Sequence, residues 1–268
     1  MNKINLLQTA KPIPFNTKMV KAILDGRKTQ TRRVVGDKLL NEIYKNDCYI
    51  DDGQIFESCM CQGMPDGSGG LEVDRWEEDV TTTYSKYKVG DVLWVREPAK
   101  IIGNHKQIGN IYERTCNFKY LADDKIIEDF NIPYRFSSLH INQFLYKNLK
   151  GTWLTGNKSI PNGCIKEMAR IFLKVTNVRV ERLQDISKED SLKEIGKGSW
   201  LCELANMYPN YQDYQRGFND IDYDLQGKNV NGAICSFRTL WNSTANNGYK
   251  WEDNPYVFVY KFEKVEVC

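Results

Sequence analysis

Polar and apolar positions change rhythm several times along the chain, and each change marks an element. Across residues 17–26 the apolar side chains recur at helical spacing. Met19, Val20, Ile23 and Leu24 form one face, Thr17 stands where an N-terminal cap belongs, and Gly26 can end the helix in the left-handed conformation. Residues 27–35 then alternate as a strand does, with β-branched positions, yet the first half carries Lys, Thr, Gln and Arg. A strand of that composition is expected to line a wet groove rather than a core. Residues 88–97 turn at Gly90-Asp91, run as a strand through Val92-Leu93-Trp94-Val95 and stop before Pro98. Residues 170–182 read as a long strand. Ser187-Lys188-Glu189-Asp190 has the form of a capping box, with Asp in the usual place of Glu, and opens a short helix ending at Gly196. Residues 237–241 suggest a helical turn, and residues 255–263 a closing strand that begins apolar on both faces.

Between these elements lie three excursions. Residues 37–86 are acidic with a Gly-rich tip at 64–70, residues 99–164 are mixed and rich in aromatics, and residues 197–234 are polar and rich in Gly, Asn and Tyr. Strands outnumber helices and no repeat period is visible. The pattern predicts an α+β fold: a small closed β-barrel with short helices at its mouth, one domain over residues 1–268 carrying insertions at about 37–86, 99–164 and 197–234.

Composition narrows the class. A chain of 268 residues with 41% hydrophobic and 12% aromatic content can bury a sizeable core, and 27% charged residues of both signs argue against wholesale disorder. No apolar run approaches the roughly 20 residues of a membrane span, and the first residues lack the pattern of a secretory signal, so a cytoplasmic protein without a membrane partner is expected. Net charge is only +2 but unevenly placed. Residues 18–38 hold seven basic residues against two acidic ones, and residues 47–80 hold ten acidic residues against Arg75 alone. Two readings fit: an anionic ligand near the basic segment, or ordinary solvated faces. Cys48, Cys59, Cys61 and Cys116 are separated by intervals that match no standard metal site, and His105 and His140 are the only imidazoles, so neither a metal nor a cofactor is expected.

Gly26-Arg27-Lys28-Thr29-Gln30-Thr31-Arg32-Arg33 resembles the signature of the ASCH superfamily, a group with a PUA-like β-barrel. Gly26, Lys28 and Arg33 match that signature, and Thr31 replaces its usual Glu. The strands around residues 89–97 and 255–262 are similar to later elements of the family. As a whole the chain resembles the larger ASCH-like proteins of phages and prophages. Lys28 and Thr31 at this spacing look like the branch of small ASCH enzymes that remove the acetyl group from acetylcytidine, where a Glu from a helix after a long strand completes the site. By position that Glu is Glu194. The resemblance therefore implies a nucleoside, nucleotide or RNA partner, with Lys28, Thr31 and Glu194 catalytic.

That chemistry sets a geometric condition. A free lysine, with a pKa near 10.4, is a base only if its surroundings lower that value, which burial and the like charges of Arg27, Arg32 and Arg33 would do. An extended strand would send Lys28 and Thr31 to opposite faces, so Lys28 must lie in the turn after Gly26 or a bulge must intervene. Arg27, Arg32, Arg33, Trp94, Arg96, Glu97 and Tyr256 are the candidates for binding substrate. Arginines suit phosphate, Trp94 and Tyr256 suit base stacking, and Arg96 and Glu97 at a strand end suit a base edge. Each has a plainer alternative: the basic strand merely holds phosphate, the aromatics are core residues, and Arg96 with Glu97 is an ion pair. A non-catalytic module that binds RNA or a modified base is the competing function.

Overall fold

The computed structural model describes residues 3–45, 48–61, 74–101, 107–108, 111–112, 115–131, 164–195 and 232–267. In chain order the elements begin with α1 (Lys3–Thr9), β1 (Lys11–Pro14), α2 (Thr17–Leu24), β2 (Gln30–Val34) and α3 (Asp37–Tyr44). Next come β3 (Cys48–Asp51), β4 (Gln54–Cys61), β5 (Asp74–Asp79), α4 (Thr81–Tyr84), β6 (Val92–Arg96) and β7 (Ala99–Ile101). They are followed by β8 (Gln107–Ile108), β9 (Ile111–Tyr112), β10 (Thr115–Tyr120) and β11 (Ile126–Asn131). The last are β12 (Phe172–Arg182), α5 (Lys188–Ile195), α6 (Gly232–Thr244) and β13 (Tyr256–Val265).

The chain divides into two compact units. One comprises Met1–Arg27, Asp91–Lys174 and Glu263–Cys268, the other Lys28–Gly90 and Val175–Phe262. Strands β12 and β13 each pass from one unit to the other along the chain.

In the first unit β1 pairs in parallel with β6, and the opening residues of β12 pair antiparallel with β6, Phe172 opposite Trp94. Leu6, Ala10, Trp94, Ala169 and Phe172 pack together on this sheet. A separate antiparallel sheet, β11-β10-β7, buries Phe118, Tyr120, Ala99, Cys164 and Met168. Helix α2 forms where the apolar spacing predicts it, with Val20, Ala22 and Ile23 buried. Its cap is Asn16 rather than Thr17: the Asn16 side-chain oxygen accepts from the backbone N–H of Met19 at 2.9 Å. Asn is among the strongest N-cap residues, and here it sits at the extended position that Thr17, already helical, has left. Gly26 takes φ +70° just past the helix, as expected.

In the second unit β13 pairs antiparallel with β2, Val259 opposite Arg32 and Tyr260 opposite Thr31. The rest of β12 lies on the other side of β13. Val257 and Val259 pack with Leu183, Ile186, Phe237 and Trp241, so α6 covers this face. Helix α6 is a full 13-residue helix where only a turn is expected, because the pattern at 237–241 is the middle of a longer apolar face. The acidic excursion 37–86 contains α3, α4 and a three-stranded antiparallel sheet, β3-β4-β5.

The α+β character is as predicted. The closed barrel is not found among the described residues: β2 pairs only with β13 and β1 only with β6, so both stand as edges. Closure would require an edge strand to pair back. The wet groove is also corrected, since Gln30, Thr31 and Arg32 are all buried. No helix among the described residues is long and apolar enough to cross a membrane.

Candidate functional site

The polar half of β2 is buried because carboxylates converge on it. Helix α5 packs on β2 and on α6, and its first turn is fixed as the sequence suggests: the Ser187 hydroxyl oxygen accepts from the N–H of Asp190 at 3.1 Å. The capping box stops there. Asp190 does not reach back to the cap and instead meets Arg179, Arg32 and Lys193.

Lys28 lies in the segment between Gly26 and β2. Its ammonium donates to Glu194 Oε2 at 2.7 Å and to the Glu194 main-chain oxygen at 2.8 Å. That carbonyl is in the last turn of α5, where a cation also meets the negative end of the helix dipole. The Lys28 and Glu194 side chains are 0% and 4% exposed. Burial lowers the Lys28 pKa, the contact with Glu194 raises it, and Arg33 and Arg32 lower it again, leaving the group below its ordinary value.

Arg32 is the hub. Nη1 donates to Glu194 Oε1 at 3.1 Å, Nε and Nη2 both donate to Glu181 Oε1, and Nη2 lies 3.5 Å from Asp190 Oδ2. Arg179 Nε holds the other Glu181 oxygen at 2.8 Å. The Arg32 guanidinium also lies over the Phe237 ring, 5.6 Å from its centre. Burial raises the Asp190 pKa, but Arg179, Lys193 and Arg32 together outweigh it and hold the carboxyl low. Gln30 donates through Nε2 to the Asp190 main-chain oxygen at 3.2 Å, and its Oε1 is buried with no hydrogen-bond partner. A buried, unsatisfied acceptor is uncommon and marks a place where a donor would be welcome.

Thr31 stands differently. Gln30 and Arg32 both face α5, so alternation puts Thr31 on the other face of β2, beside its ladder partner Tyr260. It too is buried, at 2% exposure. On that side Tyr260 meets Tyr87 edge to face at 5.1 Å, and the Ser85 hydroxyl lies 3.1 Å from the Tyr260 hydroxyl. Burial pushes the Tyr87 pKa up to about 12, against the lowering effect of the Arg33 charge. The structure thus brings together Lys28, Arg32 and Glu194 of the expected residues, with Arg33 close enough for its charge to act on Lys28 and Glu194, while Thr31 lies across the strand.

The remaining candidates are distributed as follows. Tyr256, half-buried in the same unit, carries the Arg182 guanidinium 3.7 Å from its ring centre. Arg27, Trp94, Arg96 and Glu97 belong to the first unit. Arg27 pairs with Asp25 at 2.7 Å, Trp94 is a buried core residue, and Arg96 is exposed. Glu97 is buried in a two-bond fork with Arg170, both bonds 2.9 Å, and is thus the ion pair of its plainer alternative, though with Arg170 rather than Arg96. Cys48 lies 3.8 Å from the Tyr84 hydroxyl, whereas the side chains of Cys59, Cys61 and Cys116, and both histidines, lie outside the described residues.

Sequence reasoning missed Gln30, Arg179, Glu181 and Asp190. Arg179 and Glu181 carry a signal, since opposite charges two apart on a strand share a face, but nothing in the sequence says that this face meets Arg32. Comparison with protein-family models, with curated proteins and with solved structures finds no match to this chain.

Proposed function

We propose that the chain is a nucleotide-directed protein of the ASCH kind that hydrolyses the amide of an acylated cytidine. One observation carries this reading: Lys28 meets Glu194, 166 positions away, in a buried contact of 2.7 Å. That is the pairing the resemblance implies, and it joins a lysine of lowered pKa to a carboxylate able to orient it. In the reaction, neutral Lys28 takes the proton of the Thr31 hydroxyl as that oxygen attacks the acyl carbonyl carbon. The bond from this carbon to the exocyclic nitrogen breaks, and the nitrogen takes the proton from Lys28. Water then cleaves the threonyl ester, releasing the carboxylic acid and restoring the hydroxyl. Because Lys28, Thr31 and Glu194 are all buried and Thr31 lies across the strand from the other two, this reading requires α5 to draw back from β2 and the strand to turn at Thr31 so that its hydroxyl reaches Lys28.

A second reading is favoured by the arrangement of Arg32 and Thr31: binding of RNA or a modified base without catalysis. Three carboxylates satisfy Arg32, and Thr31 faces away from it, as suits a structural network supporting a binding surface.

Incubation of purified protein with acetylcytidine, with release of acetate followed by mass spectrometry, separates the two. Hydrolysis by the wild type, lost in Lys28→Ala and in Thr31→Ala, supports the enzyme. No acetate at high protein concentration removes it, and RNA binding that weakens steeply with salt then supports the module.

A further inference from the structure

Helix α5 turns a polar side toward the protein. Asp190, Ser191 and Glu194 are buried, whereas Leu192 is only half-buried. A surface helix ordinarily packs by an apolar stripe; the described part of this one is held by ion pairs and hydrogen bonds instead. The chain just before it is anchored in the usual way, with Leu183 and Ile186 packed against Phe237, Trp241, Val257 and Val259. The character of the packing therefore changes at Ser187, the capping residue of α5. When such a helix lifts, its charges and those beneath it are rehydrated, which offsets much of what their pairing contributed. Helix α5 is thus the part of this unit built to open separately.

Beneath it lies a floor short of negative charge. The Lys28 and Arg32 side chains are 0% exposed, and Arg179 shares Glu181 and Asp190 with Arg32. Among the described residues Glu181 is the acid that stays with these three cations on the strands, and Arg33 adds its charge to the surroundings of Lys28. Helix α5 supplies the missing compensation, Glu194 to Lys28 and Arg32, and Asp190 to Arg32 and Arg179. The two carboxylates stand four apart and so share one face of the helix. While α5 is down, Gln30 Oε1 stays buried without a partner, a cost that opening to solvent removes.

We propose that α5 is an autoinhibitory lid: Asp190 and Glu194 stand where the anionic group of a ligand binds, and a phosphate that pairs with Lys28 and Arg32 displaces the helix. An arginine fork suits phosphate as well as carboxylate, and the lysine adds a compact charge. The choice of phosphate among oxyanions rests on the nucleotide-directed reading; the lifting of α5 rests on its polar underside.

Amide hydrogen exchange on the full chain tests the proposal, with inorganic pyrophosphate as the probe and sodium chloride at the same ionic strength as the reference. The α5 amides exchange through an opening that leaves β13 protected. Saturating pyrophosphate speeds their exchange by at least about tenfold, because each bound molecule holds the helix away. A helix that merely packs beside a binding surface exchanges at the same rate or more slowly on binding. In Asp190→Asn, with one competing charge gone, calorimetry finds pyrophosphate bound at least about fivefold more tightly. Exchange of α5 only together with β13, exchange that pyrophosphate slows or leaves unchanged, or weaker binding by Asp190→Asn overturns the proposal. Succinate that displaces α5 as readily as pyrophosphate overturns the choice of phosphate. Lifting of α5 by pyrophosphate in a protein that does not hydrolyse acetylcytidine keeps the lid and removes the hydrolase. Hydrolysis with α5 unmoved removes the lid.

Discussion

Lys28 and Glu194 bind each other twice, through the Glu194 carboxylate at 2.7 Å and through its main-chain carbonyl at 2.8 Å. The double contact ties the segment after α2 to the last turn of α5, so one lysine both neutralises a buried acid and satisfies a helix-end oxygen. A neighbouring fork from Arg32 shares the same carboxylate. Two cations thus depend on Glu194, and both side chains are 0% exposed.

Removing that acid is therefore costly. Glu194→Ala leaves Lys28 and Arg32 buried with less compensation, and a loss of about 3–5 kcal/mol is expected for breaking a buried pair from one side. Lys28→Met, which keeps the stem and lets Arg32 hold the acid, costs less. Urea denaturation of the two variants gives the comparison. A Glu194→Ala loss below that of Lys28→Met would mean that the network does not lean on Glu194.

The pH dependence follows from Lys28. Burial first, with Arg33 and Arg32 adding to it against Glu194, puts its folded pKa below the ordinary 10.5. The unfolded chain then binds this proton more tightly than the folded one. The group's contribution accordingly rises with pH between the lowered value and about 10.5, and is constant below that window. Melting curves across the alkaline range are expected to show this rise in the wild type relative to Lys28→Met. Parallel curves for the two proteins would contradict the lowered pKa.

Capping separates what is local from what is shared. Asn16 serves α2 and Ser187 serves α5, each by accepting one backbone N–H. Either side chain changed to Ala is expected to cost about 1 kcal/mol. Ser187→Ala also loosens the turn that aims Asp190 at Arg32 and Arg179, so it should lose more than Asn16→Ala. Equal losses in chemical denaturation would show that Asp190 is held by its ion pairs alone.

The two caps also show how far the chain could be read in advance. The apolar spacing of Val20 and Ile23 places α2, and the Ser187 turn places α5, because both signals are local. The cap of α2 is Asn16, one residue before the expected Thr17, since both are good caps and only the backbone shows which one is extended. The pairing of Lys28 with Glu194 came from the likeness to a family motif; no periodicity predicts a contact across 166 residues. The burial of Gln30 and Arg32 was not legible at all. A polar strand reads as wet until its counter-charges are known, and Glu181 and Asp190 reach β2 only through the packing of β12 and α5. The closed barrel failed for a related reason: strand number is visible in a sequence, whereas edge pairing is not.

Arg170 offers a test in the first unit. It forks onto Glu97 with two bonds of 2.9 Å, reaches Asp123 at 2.7 and 2.9 Å, and lies 3.8 Å from the Tyr120 ring centre. The two acids respond oppositely to this shared partner. The Arg170 hydrogen bonds keep the Asp123 pKa low, so its stabilisation is present above the ordinary carboxylate range and lost as pH falls through the lowered value. Burial raises the Glu97 pKa in spite of Arg170, so its contribution is most favourable in acid and declines as pH rises through the raised value. Arg170→Met should then cost more at higher pH than in acid, up to about 3–5 kcal/mol where Glu97 is charged and unpaired. The cost shrinks as pH falls, because protonation relieves Glu97, whose pKa burial already raises and loss of Arg170 raises further. Adding Glu97→Gln to Arg170→Met should recover part of the loss at neutral pH and little of it in acid. Urea denaturation at two pH values measures all of this, and a loss that is the same at both, or no recovery at neutrality, would show that Arg170 acts through its packing on Tyr120 rather than through Glu97.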